Sequence, residues 1–300
     1  MGSYIGDIPV EKEPPRTSLN MQGQEGAPDL LSRYAGSGLI MEKDLSPARL
    51  RELIREGEWK SPTSGAAPGY VQANLVMLPR DVAFDFLLFC VRNPKPCPIL
   101  DVLEPGQVAP RISHGADLRT DLPRYRIYRN GKLEGEVEDV TGIFHEEMVS
   151  FLLGCSFSFE SALQAAGIGI RNLDEGTNVS MYITNRECRP AGPFSARLVV
   201  SMRPMKREQA VRAVQVTTRF HLTHGAPVHM GSPEEIGIKD LSHPEFGDPV
   251  TILPGEIPVF WACGVTSALA ATSTPLPLVI THAPGHMFVS DVKDEDLTIL

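Results

Sequence analysis

Short apolar runs punctuate this chain, and their spacing can be read element by element. Ser46-Pro47 precedes Leu50, Leu53 and Ile54 at helical spacing, which predicts a capped helix over 48–56 closed by Gly57. A Gly/Pro/Ser-rich loop over 61–69 is suited to offering backbone groups to a ligand. A strand over 71–78, a helix over 81–91 and a strand over 99–103 then read as a β-α-β unit. Asn130-Gly131 between 125–128 and 132–140 is a two-residue hairpin signal. Beyond it the pattern predicts a helical region over 145–166, strands over 179–184 and 196–203, and a helix over 206–220. Strand-like 250–253, the apolar run 257–262, a small-residue helix over 265–271 and a strand over 278–281 follow.

One apolar run, 148–166, is interrupted by Gly154-Cys155-Ser156-Phe157-Ser158-Phe159-Glu160, where a plain core helix would carry Leu or Ala. If Gly154 breaks the run, Ser156 caps a second helix and leaves the next amides free to receive an anion.

Fully apolar short strands point to a sheet buried on both faces. The order of elements predicts an α/β fold, with 31–115 and 235–300 forming a three-layer α/β sandwich and 116–234 an inserted two-layer α+β domain. Residues 1–30 are acidic and rich in Gln, Gly and Pro, and are expected to form a flexible tail.

Composition narrows the function classes. With 42% hydrophobic and 22% charged residues the 300-residue chain is of globular type, and no apolar run is long enough to cross a bilayer. A net charge of -9 without any Lys/Arg-rich segment argues against a nucleic-acid partner, so an anion must be met by individually placed arginines. The cysteines Cys90, Cys97, Cys155, Cys188 and Cys263 are odd in number and form no C-x-x-C pair, which fits reduced thiols in an intracellular, cytoplasmic setting. The absence of G-x-G-x-x-G, Walker and G-x-S-x-G patterns, and of lysines in the polar stretches, leads to the expectation that no cofactor is used.

Four further stretches are candidates for chemistry. In 116–125, Arg119 or Arg124 can fork a carboxylate, or serve an ion-pair cluster with the nearby aspartates. Arg189 lies in a rigid Pro/Gly loop over 185–194. The strand-to-helix passage 259–267 carries Cys263, Gly264 and Thr266 to a sheet end, with a structural reading of the thiol beside the catalytic one. His282 and His286 are four apart, but Pro284-Gly285 between them argues for a turn, so no metal is expected. His282 then reads as a general acid or base, or as a histidine bonded at a turn. His224 and His229 pose the same choice.

These stretches in this order resemble the D-glutamate cyclase family, the bacterial type of hydro-lyase. The likeness rests on 69–75, 84–90 with 93–98, 117–125, 154–160, 188–194, 260–264 and 282–288, and spans about residues 45 to 292. The chain looks like a short form without the extra domain of the animal mitochondrial members. The resemblance implies dehydration of D-glutamate, or a related small amino or hydroxy dicarboxylate, to 5-oxo-D-proline.

Such a ring closure needs a clamp for the spectator carboxylate, a base for the attacking ammonium and an acid for the departing oxygen. Arg119, Arg124 or Arg189 are candidate clamps, with the amides after Ser156, together with Ser158, Gly264, Thr266 and His286, as further substrate contacts. His282 is the candidate base and Glu160 the candidate acid, with an acyl-enzyme on Cys155 or Cys263 as a covalent variant. The expected partner is a small dicarboxylate, and a homo-oligomer is left open. The competing readings are a non-catalytic carboxylate-binding protein and a metal-dependent lyase on another dicarboxylic acid.

Overall fold

A computed structural model describes residues 45–298. The expected tail over 1–30 lies outside the described residues. The fold is organised around β1 (Tyr70–Pro79), whose residues are buried almost without interruption. Successive side chains of a strand point to opposite faces, and here both faces are covered. Val76 and Leu78 pack under α2 (Arg80–Arg92) and α6 (Val265–Ser273), against Phe86, Phe89, Ala270 and Ala271. Leu75 and Met77 pack under irregular chain that brings in Ala116, Leu118, Leu122 and Val140. Burying each such side chain contributes roughly 1.5–3 kcal/mol.

The first sheet has the order β2-β5-β1-β10-β3-β4, with β11 also paired to β1. Its strands are β2 (Ile99–Leu103), β3 (Tyr125–Arg129), β4 (Lys132–Val137), β5 (Met148–Gly154), β10 (Val279–His282) and β11 (Phe288–Lys293). The second has the order β6-β7-β9-β8, from β6 (Met181–Glu187), β7 (Arg197–Lys206), β8 (His229–Met230) and β9 (Glu256–Ala262). All their ladders are antiparallel. The remaining helices are α1 (Pro47–Arg55), α3 (Glu160–Ala165), α4 (Arg171–Glu175) and α5 (Arg207–Thr217). Phe159, Leu163, Ala210 and Ala213 pack on Val259 and Trp261 of the second sheet.

The α/β class is as expected, and so are many local elements. Ser46 caps α1 by accepting from the Arg49 amide at 3.3 Å. The Asn130-Gly131 turn has φ of 50° and 75°, the paired positive values of the tight hairpin the dipeptide signals.

The interrupted run is different from the expectation. Residues 148–154 are not helical: they form β5, which lies between β1 and β2 and separates the two strands of the anticipated β-α-β unit. A fully buried strand and a buried helix carry the same continuous apolar signal, and only the partner strands decide between them. Residues 250–253 are not a strand either; Ile252 and Leu253 are exposed, and the Leu253 amide is taken by the Glu256 carboxylate. The boundaries expected at 116 and 235 are not ones that the ladders respect. Hairpin β3-β4 and β5 belong to the sheet of β1 and β10, while β9 pairs with β7 along Val200–Lys206.

Gly154 has a packing cause. A Cβ there would stand 1.9 Å from the Leu222 carbonyl oxygen. Gly154→Ala is expected to destabilise the fold by at least about 1–3 kcal/mol through overpacking, whereas Gly135→Ala, where a Cβ meets nothing within 4 Å, should not. Thermal melts of the two variants side by side test this.

Candidate active site

The hairpin fixes the first part of the site. Its register sets Arg126 directly opposite Glu136, and Arg126 Nε donates to Glu136 Oε1 at 2.8 Å. Burial pushes the Glu136 carboxyl up, but the bond to Arg126 and the charges of Arg126 and Arg124 outweigh it, leaving the group below its ordinary range. The terminal nitrogens of Arg126 carry no hydrogen bond among the described residues. On the neighbouring strand Thr281 is the cross-strand partner of Arg126 and His282 that of Tyr125. Arg126, Tyr128, Thr281 and His282 line one recess with Val265 and Thr272 of α6, of about 420 Å³ including its open mouth.

His282 is only 2% exposed. Strand β1 is paired with β11 as far as Ala73 and with β10 from Val76. At the gap, His282 Nδ1 lies 3.2 Å from the Leu75 amide nitrogen and 3.3 Å from the Leu75 carbonyl oxygen. The ring thus substitutes for a missing ladder partner, which holds it in place. Burial lowers its pKa to about 4, with the Leu75 bond opposing and the charges of His286 and Arg126 adding to the fall. His286 is bonded at 3.0 Å to the Pro284 carbonyl, within the turn. Gly285 is required in that turn: its φ is +83°, and a Cβ would reach 2.6 Å from the Asn178 side chain.

A second polar cluster surrounds the stretch 154–160. Cys155, not Ser156, is the cap: its thiol accepts from the Phe157 amide at 3.5 Å, and its carbonyl accepts from the Ser158 amide at 3.2 Å. The amides expected to receive an anion are therefore used internally, in a short 3-10 turn before the six-residue α3. Ser156 instead accepts from Arg203 Nη2 at 3.2 Å, and the same nitrogen donates to Glu160 Oε1 at 2.6 Å. Glu160 Oε2 accepts from Ser64 at 2.9 Å. Both Glu160 oxygens thus act as acceptors, an arrangement that suits a carboxylate counterion better than the proton donor anticipated. Arg203 also donates to Ser201 at 3.3 Å and lies over the rings of Phe159 and Trp261 at 5.5 and 5.7 Å. Glu160 borders a smaller recess with Gln72 and the loop 65–70, and no residue lines both recesses.

The other candidate side chains are engaged as follows. Arg119 is held bidentately by Asp117, and Arg124 stands 3.5 Å from Glu136. The Arg189 side chain is exposed, while its backbone is clamped on both sides by Asn93. Ser158 is bonded to the Gln72 backbone, and Thr266 pins α6 to β7 by accepting from the Val199 amide at 2.9 Å. At Gly264 a Cβ would overlap the Asn74 side chain. Burial pushes the Cys155 thiol far up and Cys263 up to about 11, so both are held in the un-ionised form at neutral pH, the poorer nucleophile. Among the described residues no group of three or more His, Cys, Asp or Glu is positioned to hold a metal ion, and no helix is long and apolar enough to cross a membrane.

Of the anticipated residues, His282 lines the larger recess, Arg124 shares Glu136 with the recess residue Arg126, and His286 is held in the turn that follows His282. Ser156 and Glu160 are bonded to Arg203, and Cys155 and Cys263 feel its charge. The reading of the sequence missed Arg126 and Arg203. Each had a signal: the hairpin register opposite Glu136, and a cation on the inward face of an otherwise buried strand.

The chain matches the family model described as D-glutamate cyclase over residues 149–291. It is 58% identical over 263 residues to a protein of Stutzerimonas stutzeri named "Putative hydro-lyase", covering 87% of this chain and 99% of that one. It is 56% identical over 257 residues to "Putative hydro-lyase YcsI" of Bacillus subtilis, covering 85% of this chain and all of its relative. A solved nitrogen repressor-like protein from Methanococcus jannaschii aligns with 76% of this chain at 10% identity and a TM-score of 0.31, too loose a likeness to define a shared fold. The chain belongs to the D-glutamate cyclase family. It is an enzyme of the hydro-lyase class, the carbon–oxygen lyases.

Proposed function

We propose that the recess of Arg126 and His282 binds a small dicarboxylate, and that the reaction there is closure of D-glutamate to 5-oxo-D-proline with loss of water. The observation that carries this reading is an arginine fixed through Nε alone, its terminal nitrogens unbonded among the described residues, beside a buried neutral histidine in one recess. The free edge of Arg126 matches a carboxylate in a two-point fork. With Nδ1–H donating to the Leu75 carbonyl, His282 Nε2 presents its lone pair and takes a proton from the substrate ammonium. A carboxylate bound beside the ring raises the pKa of His282 toward neutrality. The amine nitrogen then bonds to the carbon of the far carboxylate. One oxygen of that carboxylate departs as water, both of whose protons originate on the ammonium, the first carried by His282.

Mass spectrometry of a panel of amino and hydroxy dicarboxylates, D- and L-glutamate included, tests the substrate. Loss of one water from D-glutamate is expected; thermal stabilisation by these acids without turnover of any would instead mark a binding protein. Arg126→Met should raise KM by roughly 30- to 150-fold, the equivalent of about 2–3 kcal/mol for hydrogen bonds to a charged group. Steady-state kinetics on a variant with wild-type melting behaviour provides the measurement.

A further inference from the structure

The outward face of α2 is apolar where a solvent-facing helix ordinarily carries charge. Phe84 is 72% exposed and Val91 60%, and Leu87 and Leu88 are only partly buried. These residues stand at i, i+3, i+4 and i+7, so they form one continuous stripe along the helix. Phe86, Phe89 and Cys90 occupy the opposite, buried side. Charge on this side of the helix keeps to the flanks of the stripe: Arg80 and Asp81 at the start, the half-buried Asp85 beside Gly192, and Arg92 at the finish, where Nη1 donates to the Pro190 carbonyl. Arg80 faces Glu147 at 3.8 Å.

We propose that this face docks on the same face of a second copy of this chain, with the two α2 helices antiparallel about a two-fold axis. The charges choose the occupant and its direction. Asp81 and Arg92 are about three helical turns apart, which returns them to nearly the same angle and hence to the same flank of the stripe. An antiparallel two-fold pairing keeps that flank against itself and sets Asp81 against Arg92 of the partner subunit, twice. Leu87 and Leu88 then meet across the axis, and Phe84 meets Val91 of the partner subunit. A parallel pairing would instead bring like charges level at each end. A patch that complements itself in this way is what a closed isologous dimer requires.

Light scattering and sedimentation of the full chain test the pairing. The wild-type protein should have the mass of two copies at micromolar concentration. Phe84→Glu, on an exposed side chain, should give the mass of one copy with an unchanged far-UV spectrum. Asp81→Arg and Arg92→Asp should each raise the dissociation constant about tenfold, and the double charge swap should restore it. A single-copy mass for the wild type would overturn the proposal, whether the stripe is then covered by another part of this chain or by a different protein. So would a two-copy mass that survives Phe84→Glu, or a double swap that fails to recover association.

Discussion

His282→Asn should lower turnover by about 10²- to 10⁴-fold, the range for loss of a positioned acid–base group, while keeping the fold. The asparagine amide stands close to where Nδ1 stood and can hold the Leu75 backbone, which His282 now meets at 3.2 and 3.3 Å. What it removes is Nε2. The same substitution tests the electrostatics. Burial lowers the His282 pKa to about 4 from an ordinary 6.5, so between those values the unfolded chain binds the proton and the folded one resists it. Stability tied to the neutral ring is fully present above pH 6.5 and is lost as the pH falls toward 4. It amounts to about 3 kcal/mol at 1.36 kcal/mol per pKa unit. His224, lowered to about 4 chiefly by burial, contributes in the same direction. Urea melts from pH 7 to pH 4 should therefore show a steep loss for the wild type and a shallower one for His282→Asn. An unchanged slope would mean that the ring does not titrate as its burial requires.

Glu160→Gln should reduce stability by about 3–5 kcal/mol, because it leaves the guanidinium of Arg203 buried without its counterion. For a chain of this size that corresponds to a fall in Tm of roughly 6–20 °C. Arg203 is 1% exposed and Glu160 3%, so water cannot replace the lost partner. The double variant Glu160→Gln with Arg203→Met should recover much of the loss, since a buried pair removed together takes its desolvation cost with it. Melts of the single and double variants, run beside turnover of the same proteins, separate two roles for Glu160. A folded, fully stable Glu160→Gln with abolished turnover would place the carboxylate in the chemistry and not in the scaffold.

Local signals were legible in the sequence wherever the cause is local. The Asn130-Gly131 hairpin, the Ser46 cap and the helix over Arg80–Arg92 follow from turn chemistry, capping and spacing. The stretch over Met148–Gly154 was misread because its apolar continuity comes from burial on both faces between β1 and β2, a property of partners distant in the chain. The site was legible in the same measure. His282 could be picked out as a polar group at the end of an apolar strand, and Arg124 as one of the arginines in the polar stretch 116–125. Arg126 carried only the signal of its hairpin register opposite Glu136; that Glu136 holds Nε and leaves its terminal nitrogens unbonded among the described residues shows only in the folded pairing. Arg203 escaped for a related reason, since its carboxylate partner comes from another part of the chain.

Single-turnover and steady-state kinetics of D-glutamate dehydration for the wild type, His282→Asn and Arg126→Met decide whether the recess of Arg126 and His282 is the active site. Conversion to 5-oxo-D-proline is expected for the wild type, with a loss chiefly in kcat for His282→Asn and chiefly in KM for Arg126→Met. Wild-type values for both variants, with D-glutamate turned over, would contradict the assignment of the reaction to this recess.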